Sequence, residues 1–312
     1  MSVGGDRETI IAMEDTDAAA IYATLMRQPR SGSGGLVFTL IIACSARDYA
    51  EALEAAIGAG REHPIRILVA VREKDKTIDR LDAEIRFDDD VPGNIVTLRM
   101  SGAVNSHPAS VLVPLALPDL PVVVWWPGAS PRDCARDEIG QLGSRRITDV
   151  AGAHQPLRAV LERARCHQPG ATDLSWARIT SWRALLVSAL DQVRLPVIAA
   201  EVQAGSRSVP AYMMAAWLES RLCFSVPLVR EEIIGTIRIT LTLADGSSVV
   251  LSHSGEEACL DIPGQPTRVV ALPFRSRNQL LQEELARLHS DPVFDTVVKV
   301  LLERFEREGK IS

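Results

Sequence analysis

The stretch LVFTLIIAC, residues Leu36–Cys44, decides the fold class of this chain. Its residues are apolar or β-branched, which is typical of a buried strand. A helical pattern begins at Ser45, which has Asp48 three residues later in the spacing of a capping box, and its apolar stripe starts at Tyr49. Ile65–Val71 is the next apolar strand. This order predicts two parallel strands joined by a right-handed crossover.

The pattern extends on both sides of this β-α-β unit. Leu81–Phe87 and Ile95–Met100 predict an antiparallel hairpin at one edge of the sheet. Ser106–Leu117 is ambiguous, because Pro108 suits the first turn of a helix whereas Pro114 does not suit its interior. The other predicted elements are helices at Glu14–Arg27, Arg132–Leu142 and Gln155–Arg165, and strands at Pro121–Trp126 and Arg146–Val150.

The periodicity changes in the last part of the chain. Residues 237–243 alternate apolar and polar side chains, which predicts a strand with one solvated face, and Asp245-Gly246 predicts a hairpin turn after it. Asp291-Pro292 is typical of a helix start. Other predicted elements are helices at Ile179–Val193 and Ala211–Leu222, and strands at Pro196–Gln203, Val249–Ser252 and Arg268–Leu272.

These patterns predict the fold class and the domain organisation. We expect an α/β N-terminal domain, with a mostly parallel sheet and helices, followed by an α+β C-terminal domain with an antiparallel sheet. The expected boundaries give an N-terminal helix and Gly/Ser linker at 1–35, the α/β domain at 36–166 and the α+β domain at 167–312.

Composition narrows the classes of partner. The 312 residues carry a net charge of −6, which argues against nucleic acid or an anionic membrane as the main partner. The apolar stretches are too short to span a bilayer, and the N-terminus has no apolar segment of a signal peptide, so a cytoplasmic protein is expected. Five scattered cysteines do not form the pattern of a disulfide framework.

A search for catalytic motifs finds no dinucleotide fingerprint, phosphate-binding loop, nucleophile elbow or zinc spacing. His63 before Pro64 could serve as a base, although a packed turn explains it as well. Asp88–Asp90 could bind a cation, but a solvated turn is the simpler interpretation. We therefore predict no catalytic residue, no metal and no cofactor.

Two groups of tryptophans are candidate partner-binding residues. Trp125 and Trp126 end the most apolar strand, where ligands of α/β sheets bind, but adjacent strand residues point to opposite faces and both could be core. The second group lies within eleven residues and combines two residue types that are enriched in binding hot spots, although Trp182 could simply anchor a helix start. This group consists of Trp176, Arg178, Trp182 and Arg183.

Arg145 and Arg146 are candidates for phosphate binding. They precede a strand and could hold a phosphate with paired hydrogen bonds, although a solvated basic pair is the alternative. If they bind phosphate, the protein would be a sugar-phosphate-binding enzyme or sensor that uses its N-terminal α/β domain.

Four strings in order carry a resemblance to a known family. REHPIRILV (61–69), PVVVWWPG (121–128), SRRITD (144–149) and DLSWARITSWR (173–183) resemble segments of actinobacterial OpcA proteins at similar separations. The resemblance implies a non-catalytic assembly factor and allosteric activator whose partner is glucose-6-phosphate dehydrogenase, an enzyme of the oxidative pentose phosphate pathway. Ile65 stands where many relatives are expected to have Cys, so redox control is not implied for this chain.

Overall fold

The structure is a computed structural model, and it describes residues 9–27, 35–61, 64–73, 78–87, 93–231 and 237–309. The chain divides into two compact units, each assembled from three segments. Unit 1 consists of Met1–Asp149, Gln168–Thr172 and Arg277–Ser290; unit 2 consists of Val150–His167, Asp173–Ser276 and Asp291–Ser312. The domain boundaries expected at residues 36 and 167 stay a prediction.

The described residues form strands and helices that we number along the chain. The strands are β1 (Thr9–Met13), β2 (Phe38–Ser45), β3 (Ile65–Arg72), β4 (Arg80–Phe87), β5 (Asn94–Ser101), β6 (Val122–Trp126), β7 (Arg145–Thr148), β8 (Ala171–Asp173), β9 (Val197–Gly205), β10 (Leu228–Glu231), β11 (Ile237–Leu243), β12 (Ser248–Ser254), β13 (Glu257–Asp261) and β14 (Arg268–Ala271). The helices are α1 (Ala18–Arg27), α2 (Tyr49–Gly60), α3 (Gly102–Ser106), α4 (Pro108–Leu115), α5 (Pro156–Arg165), α6 (Leu174–Arg178), α7 (Thr180–Leu190), α8 (Val209–Leu222), α9 (Arg277–Leu285) and α10 (Pro292–Arg307).

An eight-stranded, mostly parallel sheet forms the centre of unit 1, in the order β1-β4-β5-β3-β2-β6-β7-β8. Strands β2 and β3 are parallel, with Phe38 opposite Ile65, and β5, β6 and β7 extend the parallel part. Every residue of β2 from Phe38 to Cys44 is buried, which accounts for a sequence that is apolar apart from Thr39. The predicted β-α-β unit and the α/β fold class are confirmed.

The antiparallel part of this sheet corrects one detail. Strands β4 and β5 pair antiparallel, as predicted, with Phe87 opposite Asn94. However, β4 is not the edge strand, because β1 pairs antiparallel along its other side, with Met13 opposite Ala83. Strand β1 was not predicted, because its five residues have neither turn signals nor a strict alternation.

The helix expected at Arg132–Leu142 is wrong. Only a short 3-10 turn at Gly140–Leu142 forms, because two aspartates compete for the backbone donors. The Asp133 carboxylate accepts the N–H groups of residues 135 and 136, and Asp137 accepts those of 139 and 140. A Cβ at Gly140 would overlap the Cys134 carbonyl oxygen, so the chain closes on itself where a helix would have to extend.

Two helix starts in unit 1 also differ from expectation. No capping box forms at α2: the Asp48 side chain makes no capping bond and accepts the Ser45 hydroxyl at 2.7 Å instead. The ambiguous Ser106–Leu117 segment is helical, as α4, with Pro108 in its first turn and Pro114 within it. A helix of eight residues tolerates that proline because few backbone bonds lie beyond it.

Unit 2 contains a six-stranded sheet in the order β10-β9-β11-β12-β13-β14. Apart from the parallel pair β10 and β9, its strands are antiparallel. In β11 the residues Ile239 and Leu241 are buried and Arg238 is exposed, so the alternation reports the two faces as predicted. Helix α8 packs between this sheet and α10. The expected α+β class with an antiparallel sheet is confirmed.

Several other expectations agree with the structure to within a few residues. Helix α10 begins at Asp291, whose carboxylate accepts the N–H groups of Val293 and Phe294. The expected helix at 14–27 begins only at Ala18. Three sequence features lie outside the described residues, namely most of the Gly/Ser linker at 28–35, the acidic turn at 88–90 and His63.

Candidate functional site

Trp125 and Trp126 of β6 are core residues of unit 1. Trp125 is fully buried and Trp126 is 3% exposed. They point to opposite faces of the sheet, and Trp126 packs with Val124, Cys134 and Ile139. Their role as partner contacts stays a prediction, and in this conformation neither ring is presented to solvent.

Arg145 and Arg146 of β7 also point to opposite faces of the sheet. Arg145 is buried and its Nη2 donates to Glu284 Oε2 at 2.9 Å. Arg146 donates to the carbonyls of Gly143 and Pro169, both at 2.8 Å, and burial lowers the pKa of its guanidinium. Each arginine therefore already has a protein partner, and the two side chains leave β7 on opposite faces. Their role in phosphate binding stays a prediction.

Trp176 of α6 is buried in unit 2, at 2% exposure. Its Nε1 donates to Asp291 Oδ2 at 2.9 Å, and its ring lies 5.7 Å from that of Phe294. The guanidinium carbon of Arg183 lies 3.5 Å from the centre of the Trp176 ring, and Arg183 also donates to Thr180 Oγ1 at 3.0 Å. Trp176 and Arg183 thus stabilise each other and the two short helices that carry them.

Trp182 belongs to a row of three aromatic rings in the same unit. The His253 ring lies 5.1 Å from Trp182 and 5.2 Å from Phe274, edge-on to both. His253 Nε2 donates to the Leu272 carbonyl at 2.8 Å, which fixes the proton on that nitrogen. Phe274 is the last ring of the row. It is 70% exposed, which places it among the most exposed large apolar side chains of the described residues.

These rings border a groove of about 130 Å³ on the surface of unit 2. We call it the docking groove; its lining includes Arg178, Trp182, His253, Phe274 and Arg275. Arg275 is held in place because its Nη1 donates to the Ala177 carbonyl at 3.1 Å. None of the described residues that line the groove is acidic.

The docking groove has the chemistry of a protein-binding surface. An apolar floor with an exposed Phe can accept an apolar side chain, and two guanidinium groups beside it can pair with carboxylates. Of the predicted partner-binding residues, the structure brings Arg178 and Trp182 to this groove. Trp176 and Arg183 contact each other in unit 2 but do not line the groove, and Trp125 and Trp126 lie in unit 1.

Sequence reasoning missed His253, Phe274 and Arg275 as groove residues. The sequence Pro273-Phe274-Arg275 held a signal for two of them. Pro273 has no N–H to donate to a neighbouring strand, so the strand is expected to end before it and Phe274 to lie outside the sheet. His253 offered none, since a single His on an alternating strand is indistinguishable from a packed one.

The described residues contain no group of three or more His, Cys, Asp or Glu side chains placed to hold a metal ion. Within the same ranges, every helix is too short or too polar to cross a membrane.

The described residues form a two-unit protein with a groove on unit 2 that is lined by cationic side chains and an exposed aromatic ring. Comparison with protein-family models then identifies the family. Residues 56–165 match the model described as the glucose-6-phosphate dehydrogenase subunit N-terminal domain, and residues 169–298 match that of the C-terminal domain. The chain belongs to the OpcA family of glucose-6-phosphate dehydrogenase subunits, as its four strings predicted.

A comparison with curated protein sequences found no match. Among solved structures, a dehydrogenase (MviM) from Clostridium difficile is 6% identical, with a TM-score of 0.45, over 87% of this chain and 99% of that one. An NAD-binding oxidoreductase from Klebsiella pneumoniae is 10% identical, with a TM-score of 0.36, over 85% and 89%. A super-repressor mutant of Gal80p from Saccharomyces cerevisiae is 10% identical, with a TM-score of 0.31, over 95% and 94%.

Proposed function

We propose that this protein is a non-catalytic, cytoplasmic assembly factor and activator of glucose-6-phosphate dehydrogenase, and that the docking groove contacts the enzyme. The observation that carries the proposal is membership of the family over residues 56–165 and 169–298. The groove supports it, because an exposed Phe beside two arginines offers binding energy with little side-chain entropy to lose.

The buried tryptophans have a different part in this proposal. Trp182 supports Phe274 through His253, which contacts both rings, so Trp182 belongs to the wall of the groove. Trp176 packs against Arg183 and does not line the groove. Contact with the enzyme is assigned to the more exposed side chains, Phe274 and Arg178.

Activation follows if the protein binds the active form of the enzyme more tightly than the inactive form. Linkage then requires glucose 6-phosphate to tighten the complex by the same factor by which complex formation improves substrate binding. A factor of roughly 5 to 150 is typical of such coupling.

The test is a titration of this protein into purified dehydrogenase, followed by enzyme activity and by the mass of the complex. We expect Phe274→Ala to weaken the complex by about 2 kcal/mol, because it removes the exposed ring from the contact. Its melting temperature should hardly move, since the side chain is 70% exposed.

Val269→Ala is the matched control. Val269 is also an exposed apolar residue of unit 2, at 61%, but it does not line the groove. If the Phe274→Ala variant binds the dehydrogenase with wild-type affinity, the docking groove is not the surface that contacts the enzyme. The absence of any complex or kinetic effect with wild-type protein at micromolar concentrations would remove the function itself.

A further inference from the structure

A second depression in unit 2 lies where the end of α10 meets β10 and α8. Its volume is about 500 Å³, within the range of small-molecule sites, and it shares no lining residue with the docking groove. Its lining is polar, and three arginines reach it from two elements. We call it the arginine pocket, after Arg230, Arg304 and Arg307.

Arg304 is the fixed part of this pocket. It is 3% exposed, and its Nη1 donates to Glu219 Oε1 at 2.8 Å and to the Val226 carbonyl at 2.6 Å. Because both partners are buried, this guanidinium has no freedom to swing into solvent. Arg304 is therefore a fixed part of the pocket lining.

One buried carboxylate serves two of the arginines. Glu219 is 7% exposed and, besides Arg304, it accepts Arg307 Nη2 on its two oxygens at 3.0 and 2.9 Å. A second carboxylate, that of Glu308, lies 3.0 Å from Arg304 Nε. Arg304 and Arg307 are thus balanced by two acidic groups, and neither acid is left over for a third cation.

Arg230 is that third cation. It is exposed, and among the described residues it has no hydrogen-bond or ion-pair partner. In the β10–β9 ladder it stands opposite Ala204, which is buried, so its side chain lies on the helix-covered face of the sheet. This register directs Arg230 toward α10. Among the described residues of the pocket and their ion-pair partners, the three arginines exceed the two carboxylates, Glu219 and Glu308, by one positive charge.

We propose that the arginine pocket binds a phosphate monoester. Arg230 and the half-exposed Arg307 supply guanidinium groups whose planar forks match phosphate oxygens, and Ser225 supplies a hydroxyl at the rim. The pocket is larger than a phosphate group, so there is room for the organic part of the ester. This site is independent of the docking groove and of the proposed function.

A purely structural account covers only part of this arrangement. Cations in the last turn of α10 would stabilise the negative end of the helix dipole, which explains Arg304 and Arg307. It does not explain Arg230, which belongs to a strand and has no partner of its own among the described residues.

The test is a phosphorus NMR titration of the full chain with inorganic phosphate and with methyl phosphate, at constant ionic strength set with chloride. We expect saturable binding of both probes, and about tenfold weaker binding in Arg230→Ala, because one charge-assisted contact is lost. The melting temperature of this variant without ligand should equal that of the wild type.

Arg238→Ala is the matched control, because Arg238 is an exposed arginine of unit 2 on the opposite face of the sheet. It should retain wild-type affinity. The proposal is overturned if wild-type protein shows no saturable binding, if Arg230→Ala binds as the wild type does, or if both variants lose affinity equally. The last result would mean that net charge alone attracts the anion.

Discussion

Cys44 is a side chain whose reactivity is decided by its surroundings. It is the penultimate residue of β2, at 6% exposure, and burial, together with the charge of Asp48, raises the pKa of its thiol to about 12. The thiolate is the reactive form, and at pH 8 only about one Cys44 in 10,000 would carry it. Cys223, in contrast, is exposed.

Alkylation tests this at the scale of one residue. At pH 8 we expect iodoacetamide to label Cys223 readily and Cys44 only after unfolding, when its pKa falls to about 8.5. Peptide mass spectrometry before and after addition of denaturant measures both sites. Equal labelling of the two cysteines in native protein would contradict the burial and the raised pKa of Cys44.

The arginines show a second effect at the residue scale. Arg146 and Arg230 are both arginines on strands. The two terminal nitrogens of Arg146 donate to the Gly143 and Pro169 carbonyls, whereas Arg230 has no partner among the described residues. A guanidinium whose donors are satisfied by the fold has little left for a ligand. Whether an arginine can bind a ligand therefore depends on how many of its N–H donors the fold leaves available, and not on the residue type alone.

At the scale of elements, capping explains both a success and a failure of prediction. Asp291 is followed by proline and begins α10, as expected. Asp133 and Asp137 accept backbone donors in the same way, but no α-helix follows either of them, and only a single 3-10 turn forms after Asp137. The same side-chain chemistry has two outcomes, because an apolar stripe follows Asp291 and none follows Asp133.

Asp291 makes the start of α10 testable. Asp291→Ala removes the cap of the helix and the acceptor of Trp176 Nε1, so we expect a loss of roughly 1 to 3 kcal/mol in the free energy of unfolding. Asp291→Asn keeps an acceptor oxygen and should lose less. Urea unfolding measures both, and Asp191→Ala is the control, since Asp191 is exposed at the end of α7. Equal stability of Asp291→Ala and wild type would contradict this account of the helix start.

At the scale of the whole molecule, sequence order and spatial order differ. Helix α9 packs on α2 within unit 1, although more than 200 residues of chain separate them. The contact is close: a Cβ at Gly58 would collide with the side chain of Asn278. Such a pairing leaves no local signal, because each helix has an ordinary apolar stripe that would suit many partners.

The proposed function leads to one prediction for the complete protein. Incubated with glucose 6-phosphate and either nicotinamide cofactor, and free of dehydrogenase, it should produce no reduced cofactor. The reason is that the sequence has no dinucleotide fingerprint, so it shows no motif that would hold the nicotinamide cofactor. Absorbance of the reduced nicotinamide measures this, and turnover that persists after removal of contaminating dehydrogenase would contradict it.

By itself, the sequence determined the two fold classes, most of the helices and strands, and the family. These follow from local periodicity and from four strings, each of which is read without knowing what lies next to it. The tertiary structure alone decided that Trp125, Trp126 and Trp176 are buried and that Phe274 is exposed. It also gathered the docking groove from residues as far apart as Arg178 and Arg275. The physical reason is that periodicity constrains the backbone, whereas burial and charge balance depend on long-range packing that no local pattern encodes.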